Sequence, residues 1–260
     1  MKPRNFFIPC ALTVLSLALA GASHAALVGY WNFNEGVGST AADFSTNNND
    51  GTLTDIPGGA VNVPAWIGGH TGNLGDNALE FAQGTVVIPD SASLHITNSF
   101  TIAAWYYDTG SNYGKIFMAG GHWDLQTSNN GGDAAYFWSA TNSNAEFKHS
   151  LGFAPPKNAW HHIAITYNGS QMKNYIDGIQ VGTTFNVSSA LDTWGTLQLG
   201  GYNVYGSGFN GRLDDMAIFN SVEDVVSIRD GTHLALVPEP GSMALLGLGG
   251  LGLLLRRRRL

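Results

Sequence analysis

The feature that most constrains the fold is a series of short runs rich in β-branched and aromatic residues, separated by clusters of Gly, Asn and Asp. Short runs bounded by turn residues are typical of the strands of a sandwich, and no long helix is indicated. We therefore predict an all-β domain. The predicted strands span 27–33, 79–81, 85–88, 100–107, 115–119, 135–139, 161–167, 173–176, 196–199 and 212–219.

Two tight turns and one helix are indicated within this series. Asn168-Gly169 and Asp177-Gly178 are pairs preferred in two-residue hairpin loops. They predict a meander in which the strands 163–167, 172–176 and 179–183 pair in order. The helical candidate is Ser221 to Ile228, in which Ser221 and Asp224 have the spacing of a capping box.

Residues 1–25 have the three parts of a secretory signal peptide: the basic residues Lys2 and Arg4, an apolar stretch at 6–20, and the small-x-small site Ser23-His24-Ala25. The apolar stretch is shorter than the roughly 20 residues that a membrane-spanning helix needs. We expect cleavage after Ala25 and export of the remaining chain.

The exported chain must be stable without disulfides. The single cysteine, Cys10, lies in the signal segment, so no thiol remains after cleavage. Hydrophobic residues make up 44% of the chain and charged residues 12%, a composition that favours a packed core over disorder.

The net charge argues against two kinds of partner, nucleic acid and anionic lipid. Without Lys2, Arg4 and Arg256 to Arg259, the chain keeps six basic residues against 19 acidic ones, a net charge of −13. Binding to nucleic acid or to anionic lipid needs clustered Lys and Arg to neutralise phosphates. We expect neither partner for the exported domain.

The C-terminus has three consecutive parts: Val237-Pro238-Glu239-Pro240, the apolar run Met243 to Leu255, and Arg256 to Arg259. Together they resemble the PEP-CTERM sorting domain. The resemblance implies a sorting tail over 237–260 with a short hydrophobic helix, held transiently in the inner membrane. It also implies that an exosortase recognises the motif and removes the apolar part, leaving the protein at the cell surface or in extracellular matrix. An ordinary membrane anchor is the alternative.

Four segments of residues 26–236 carry a second resemblance: Gly29-Tyr30-Trp31-Asn32-Phe33-Asn34-Glu35-Gly36, Ala78-Leu79-Glu80-Phe81, Trp160-His161-His162-Ile163-Ala164 and Gly211-Arg212-Leu213-Asp214-Asp215. They are similar, in order, to LamG-like domains of the concanavalin A-like lectin/glucanase class. The resemblance implies a jellyroll sandwich of two antiparallel sheets.

The loop from Asp43 to Gly51 is rich in oxygen donors, the ligands that calcium prefers. It lacks the Gly and the closing Glu of an EF-hand. The LamG-like resemblance implies one structural calcium between the opening loop and the last strand, which maps onto Asp43, Asp50 and Asp214. Asx-turn hydrogen bonding in a solvated loop is the alternative.

Catalytic constellations are missing from the sequence. A glucanase on this fold needs two carboxylates about 5 to 9 Å apart, presented together by one strand. The adjacent pairs Asp214-Asp215 and Glu223-Asp224 are expected to point to opposite sides. For the same reason His161 and His162 should face opposite ways, in structural roles. We therefore predict that the protein is not an enzyme.

Aromatic side chains in Gly- and Asn-rich segments are candidates for sugar binding, because a ring covers the apolar face of a pyranose. The candidates are Tyr113, Trp123, Trp194, Tyr202 and Tyr205, and for each of them packing within the fold is the alternative. By contrast, the LamG-like resemblance implies strand positions for Trp31, Trp105 and Trp160, and we expect these three in the core.

These observations favour a non-enzymatic surface or matrix protein with a lectin-like domain that binds polysaccharide. A structural matrix or adhesion protein without a specific glycan is the alternative. A glycoside hydrolase or polysaccharide lyase would require acidic groups distant in sequence to converge in one cleft.

Overall fold

The computed structural model describes residues 27–56, 62–110, 114–120, 123–127, 136–140, 146–150, 155–187, 195–201 and 208–233. The predicted signal peptide and the predicted sorting tail, with Val237, Pro238, Glu239 and Pro240, lie outside these ranges. Within them, no helix is long and apolar enough to cross a membrane.

The first of two antiparallel sheets contains the three strands that were predicted as a meander. Its strand order is β14 (Ile179–Asn186), β13 (Gln171–Ile176), β12 (Trp160–Tyr167), β7 (Phe100–Asp108), β16 (Asn210–Phe219), β5 (Asn77–Ala82) and β4 (Ala65–Gly68), and β1 (Leu27–Trp31) also pairs with β16.

The second sheet lies across the core from the first. Its strand order is β11 (Glu146–Ser150), β10 (Tyr136–Ala140), β9 (Trp123–Gln126), β8 (Lys115–Ala119), β15 (Leu197–Leu199), β6 (Thr85–Ile88), β3 (Gly51–Thr54) and β2 (Thr40–Ala41). Two antiparallel sheets with non-sequential strand order confirm the predicted jellyroll sandwich.

The predicted strands all occur, with bounds shifted by at most a few residues. Five strands were not predicted: β2, β3, β4, β9 and β11. They are short, and several carry Gly, Asp or Gln at positions where a strand prefers β-branched residues. Their conformation depends on pairing with neighbours that are remote in the sequence, such as Leu53 with Val86.

The predicted meander is confirmed, and the register of its three strands is defined. Ile163 pairs with Ile176, and Ile176 pairs with Ile179 across the Asp177-Gly178 turn. Asp177 and Gly178 have φ angles of 51° and 79°, the two left-handed conformations that a type I′ hairpin requires.

The helix is shorter than predicted, and the predicted capping box is wrong. α1 spans Val225–Arg229, and Asp224 caps it by accepting the Val226 N–H at 3.1 Å. The Ser221 hydroxyl instead donates to Glu223 at 2.6 Å. A single turn of 3₁₀ helix, Ala92–Leu94, is the other helical element of the described residues.

Buried side chains form two separate layers. The larger layer fills the space between the sheets and includes Trp31, Phe100 and Phe117. The smaller one lies on the outer face of the first sheet, where Ala103 packs with Val225 and Ile228 of α1. Alternation along β7 explains the division, since successive side chains point to opposite faces of a sheet.

A β-bulge in β16 interrupts this alternation. The register of β16 against β7 shifts between Asp214 and Ala217, and Asp215 has a left-handed φ of 46°. A bulge turns the side chains that follow it relative to the neighbouring strand. The bulge therefore decides where the two adjacent carboxylates point.

Candidate functional site

A row of half-buried side chains crosses the outer face of the first sheet beyond the part that α1 covers. In register, Trp160 of β12 lies opposite Tyr107 of β7, Tyr107 opposite Arg212 of β16, and Arg212 opposite Glu80 of β5. Their strand neighbours Tyr106, Leu213 and Phe81 point into the core, so the pleat places Tyr107, Arg212 and Glu80 outside. Trp160 lies directly opposite Tyr107 and therefore shares its face. We call the four residues the outer-face row.

The outer-face row combines aromatic rings with charged groups. The Tyr107 and Trp160 rings meet edge to face, with centroids 5.7 Å apart. The Arg212 guanidinium lies 5.0 Å from the Tyr107 ring centroid, and its Nε donates to Glu80 Oε1 at 3.1 Å. The Arg212 and Glu80 side chains remain 30% and 44% exposed, so both can still contact a ligand.

A loop folds His70 onto the same face. The Gly69 N–H donates to the Asp76 carbonyl at 2.9 Å, and the Thr71 N–H donates to the Asp76 carboxylate at 2.9 Å. The His70 ring stacks on Trp105, with centroids 4.4 Å apart and planes 15° from parallel. This contact fixes the direction of the imidazole.

His70 meets both carboxylates of the bulge. Asp214 Oδ2 lies 2.8 Å from the His70 backbone N–H and 2.9 Å from His70 Nδ1. Asp215 Oδ2 lies 3.7 Å from the same Nδ1, and Asp215 Oδ1 accepts the Tyr30 hydroxyl at 2.6 Å. The expectation that Asp214 and Asp215 point to opposite sides is wrong, because the bulge breaks the alternation on which it rested.

The electrostatics of this group follow from burial of like charges. Burial, followed by the charge of Asp214, raises the pKa of Asp215 to about 6, and burial also raises the pKa of Asp214. Burial opposes protonation of His70, but its hydrogen bond to Asp214 and the two nearby carboxylates outweigh burial and raise the pKa of His70. Burial and the adjacent Asp215 raise the pKa of Tyr30.

The three residues predicted to bind calcium belong to two groups. The Asp43 carboxylate accepts hydrogen bonds from the Tyr30, Ser45 and Asn49 N–H groups and from the Ser45 hydroxyl, at 2.7 to 2.9 Å. Asp50 accepts the Asp43 N–H at 2.8 Å. Four donors occupy the four lone-pair positions of Asp43, so its carboxylate does not fit a calcium ligand without losing hydrogen bonds.

Asp214 instead belongs with His70 and Asp215. Potential ligand atoms of these three side chains lie within 4.8 Å of one another, and they are the one such group of three found in the described part of the chain. These three side chains can therefore bind one metal ion, at a site that differs from the predicted calcium ligands Asp43, Asp50 and Asp214. Calcium binding itself stays a prediction.

The tryptophans match their predicted roles only in part. Trp31 is fully buried, as predicted. Trp123 is also fully buried and packs edge to face on Phe100 at 5.6 Å, so its prediction as a sugar-binding surface residue is wrong. Trp105 and Trp160 are half-buried on the outer face, not in the core. Tyr113, Trp194, Tyr202 and Tyr205 lie outside the described residues.

His161 and His162 face opposite ways, as alternation predicts, and both contact Asp177. His161 Nδ1 lies 2.9 Å from Asp177 Oδ2, and Asp177 Oδ1 accepts the His162 N–H at 2.8 Å. Burial, with the Arg229 charge as a smaller contribution, lowers the pKa of His162 to about 4. His162 is therefore a neutral interior side chain at pH 7.

Asp124 and Gln126 of β9 alternate with the core residues Trp123 and Leu125, so they lie on the other face of the second sheet, yet both are buried. Asp124 lies 2.7 Å from Lys115 Nζ and accepts Gln126 Nε2 at 2.6 Å. Asp124 and Gln126 are 2% and 3% exposed. They are enclosed within the fold, so we place the candidate surface on the first sheet.

Sequence reasoning missed Tyr107, Arg212 and His70 as surface candidates. Alternation along Trp105-Tyr106-Tyr107 was a usable signal, because one of its faces had to be the outer one. No local signal identifies His70, since its position depends on a loop that crosses to β16.

Solved structures with the same fold include several binding domains. Domain 4 of AbnA, a GH43 extracellular arabinanase from Geobacillus stearothermophilus solved in complex with arabinotriose, aligns with a TM-score of 0.65 at 20% identity, covering 80% of this chain and 98% of that one. The binding domain of Paraclostridial Mosquitocidal Protein 1 aligns with a TM-score of 0.58 at 14% identity, covering 79% and 51%.

A third similar structure concerns botulinum neurotoxin type C, whose cell entry depends upon interaction with two ganglioside molecules. It aligns with a TM-score of 0.53 at 16% identity, covering 80% of this chain and 50% of that one. The chain thus spans about half the length of the two toxin chains. At these identities the likeness shows the fold alone. No curated protein sequence matches the chain.

Two family models match the sequence. The model of the PEP-CTERM protein-sorting motif matches residues 236–259, which confirms the resemblance of the C-terminal segment and implies an exported protein sorted at the membrane. The model of the concanavalin A-like lectin/glucanases superfamily matches residues 81–226, more than half of the chain. The chain belongs to the concanavalin A-like lectin/glucanases superfamily.

Proposed function

We propose that this protein is exported, sorted by an exosortase to the cell surface or extracellular matrix, and binds polysaccharide through its jellyroll without cleaving it. The observation that carries the proposal is the outer-face row, in which Trp160 and Tyr107 lie beside Arg212 and Glu80 on a surface that α1 leaves uncovered.

The chemistry of the row suits a sugar. Aromatic carbons can cover the apolar C–H face of a pyranose or furanose ring, while guanidinium and carboxylate groups exchange hydrogen bonds with its hydroxyls. Arg212 and Glu80 already hold each other at 3.1 Å, so little side-chain freedom is lost when a ligand binds. AbnA domain 4 in complex with arabinotriose is an example of sugar binding on this fold.

Binding without hydrolysis is supported by the state of the acidic pair. Asp214 is fully buried, and its two oxygens accept hydrogen bonds from His70 and from the Asp215 N–H. A glycosidase needs both carboxylates at the scissile bond, one as acid and one as base or nucleophile. Asp214 cannot reach a glycosidic oxygen from this position, so the pair does not supply that machinery.

A glycan array probed with the purified exported protein tests the binding. We expect a signal on one polysaccharide class, weakened at least about tenfold, or roughly 1.4 kcal/mol, by Trp160→Ala or by Arg212→Gln. Arg229→Gln is the matched control, because the Arg229 side chain is 28% exposed and ion-paired to Asp230 at 2.8 Å on the same domain. Melting curves establish that each variant is folded.

The rival functions give different results. Loss of binding in Trp194→Ala, Tyr202→Ala or Tyr205→Ala, with the outer-face variants unchanged, would place the glycan site at those residues instead. A blank array over broad polysaccharide classes would favour a structural matrix or adhesion protein. Release of reducing ends from a bound glycan would identify a hydrolase.

A further inference from the structure

We propose that His70, Asp214 and Asp215 form a binding site for a borderline divalent transition metal of the Zn²⁺ type. The inference goes beyond glycan binding and does not depend on it. It rests on three potential ligand atoms from two distant segments: the loop at 69–76 and the bulge in β16.

The distances between the ligand atoms suit a small ion. His70 Nδ1 lies 2.9 Å from Asp214 Oδ2 and 3.7 Å from Asp215 Oδ2, and all three ligand atoms lie within 4.8 Å of one another. Zinc binds nitrogen and oxygen at about 2.0 to 2.2 Å, so ligands of a tetrahedral ion lie about 3.3 Å apart. Small side-chain rotations bring the three atoms to that spacing.

The donor set distinguishes between metals. An imidazole nitrogen with two carboxylates suits Zn²⁺ and its neighbours, whereas Ca²⁺ takes six to eight oxygen ligands. Asp43 and Asp50, the oxygen donors implied for calcium, are hydrogen-bonded within the opening loop. The site inferred here therefore differs from that set in its metal and in two of its three residues.

Contacts around the ligands hold them in place. The His70 ring is stacked on Trp105, the Tyr30 hydroxyl donates to Asp215 Oδ1, and the Asp215 N–H donates to Asp214 Oδ1 at 2.9 Å. Partners of this kind orient metal ligands. They leave Asp215 Oδ2 for the ion, together with one lone pair of Asp214 Oδ2, whose other lone pair accepts the His70 N–H at 2.8 Å.

The two carboxylates of the site carry negative charge that a metal ion would balance, and two of the three ligands are reachable from solvent. Among the residues that the structure describes, His70 is the one cationic group paired with Asp214 or Asp215. The His70 and Asp215 side chains are 13% and 26% exposed, while Asp214 is fully buried. A metal ion entering from solvent would meet the two exposed ligands first and keep one position for water.

Metal titration of the exported protein, stripped with a chelator, tests the site. With ZnCl₂ at a hundred times its dissociation constant, we expect one ion per chain and a melting temperature raised by roughly 5 to 10 °C. CaCl₂ at the same concentration should give no comparable rise. Co²⁺ should produce the visible absorption of a four-coordinate site.

Three variants separate this site from adventitious binding. His70→Gln and Asp215→Asn should each weaken zinc binding at least tenfold and abolish the Co²⁺ absorption. His95→Gln is the control, because His95 also lies 2.7 Å from an aspartate, Asp90, but has no second carboxylate within bonding distance among the described ion pairs. Zinc binding that survives His70→Gln, that is lost in His95→Gln, or that is absent from the wild type overturns the proposal.

Discussion

Two aspartates, the buried Asp43 and the partly exposed Asp177, each hold one region of this domain together. Asp43 joins the opening loop to β1 by accepting four hydrogen bonds. Asp177 joins the β13–β14 turn to both histidines of β12. Each carboxylate satisfies backbone N–H groups that have no strand partner, so its loss leaves buried donors unpaired.

We predict that Asp43→Asn destabilises the domain by roughly 3 kcal/mol. An amide has one acceptor oxygen, so about two of the four donors lose their partner, at about 1 to 3 kcal/mol each. Asp50→Asn, at an exposed residue that accepts one N–H, should cost less than about 1 kcal/mol. Urea unfolding measures both. Equal losses would show that the Asp43 hydrogen bonds contribute little.

Asp43→Asn and Asp214→Asn test the calcium expectation. If calcium binds through Asp43, Asp50 and Asp214, CaCl₂ added to chelator-stripped protein raises the melting temperature of the wild type but not that of Asp43→Asn or Asp214→Asn. The hydrogen bonds of Asp43 favour the other outcome, in which melting curves in calcium and in chelator coincide. Elemental analysis of the purified protein is the independent measurement.

His162 gives a pH dependence of known sign. The pKa of His162 is about 4 in the folded protein and about 6.5 when unfolded, so the unfolded state binds the proton first as pH falls. The free energy of unfolding is therefore unaffected by protonation of His162 above pH 6.5. Between pH 6.5 and pH 4, proton binding to the unfolded state lowers it by roughly 3 kcal/mol in all. Unfolding at pH 7 and pH 4.5 should show a smaller difference in His162→Gln than in the wild type. Identical pH profiles would contradict this.

At the level of elements, alternation along the strands was predictable and its interruption was not. The pattern of β7 places Ile102 inside and Ala103 outside, as a period of two requires. The bulge in β16 has no such signal in Leu213-Asp214-Asp215-Met216, because a bulge depends on what the neighbouring strands pair with.

The hairpin between β13 and β14 should be sensitive at Gly178. Its φ of +79° is left-handed, and a Cβ there would lie 2.8 Å from Arg229 Nη1, which donates to the Asp177 carbonyl. Gly231 has a similar φ of +70° with open space around it. Gly231→Ala should cost about 1 to 2 kcal/mol for the backbone conformation, and Gly178→Ala should cost more. Thermal unfolding measures the loss of stability in each variant. Equal losses in Gly178→Ala and Gly231→Ala would show that the contact with Arg229 adds nothing to the cost at Gly178.

For the whole molecule, the sandwich is stabilised by a core between two sheets, and the sorting motif follows the family domain in the sequence. The concanavalin A-like family model covers 81–226, and the sorting-motif model covers 236–259. Folding and sorting should therefore be separable by mutation.

The sorting prediction concerns Pro238-Glu239-Pro240. Replacing the three residues with alanine should leave the apolar run attached, because the exosortase no longer recognises the tail, and the protein should accumulate in the inner membrane. Membrane fractionation with immunoblotting measures the distribution. Replacing Pro155-Pro156 with alanine is the control for composition. Unchanged release of the tail variant would show that the motif is not used.

The export prediction is that the protein recovered outside the cytoplasm begins at Ala26. Cleavage by signal peptidase follows small residues such as those of Ser23-His24-Ala25. Mass spectrometry of the mature N-terminus measures it, and recovery of extracellular protein that retains Met1 to Ala25 would contradict cleavage.

The sequence by itself determined the fold class, most strands, the meander and the sorting segment, because each depends on local periodicity, turn chemistry or a contiguous motif. The tertiary structure alone decided which tryptophans lie inside, that Asp43 is hydrogen-bonded within its loop, and that His70 meets Asp214 and Asp215. Those outcomes depend on contacts between residues up to 145 positions apart and on a bulge set by neighbouring strands, and neither leaves a periodic signal in the chain.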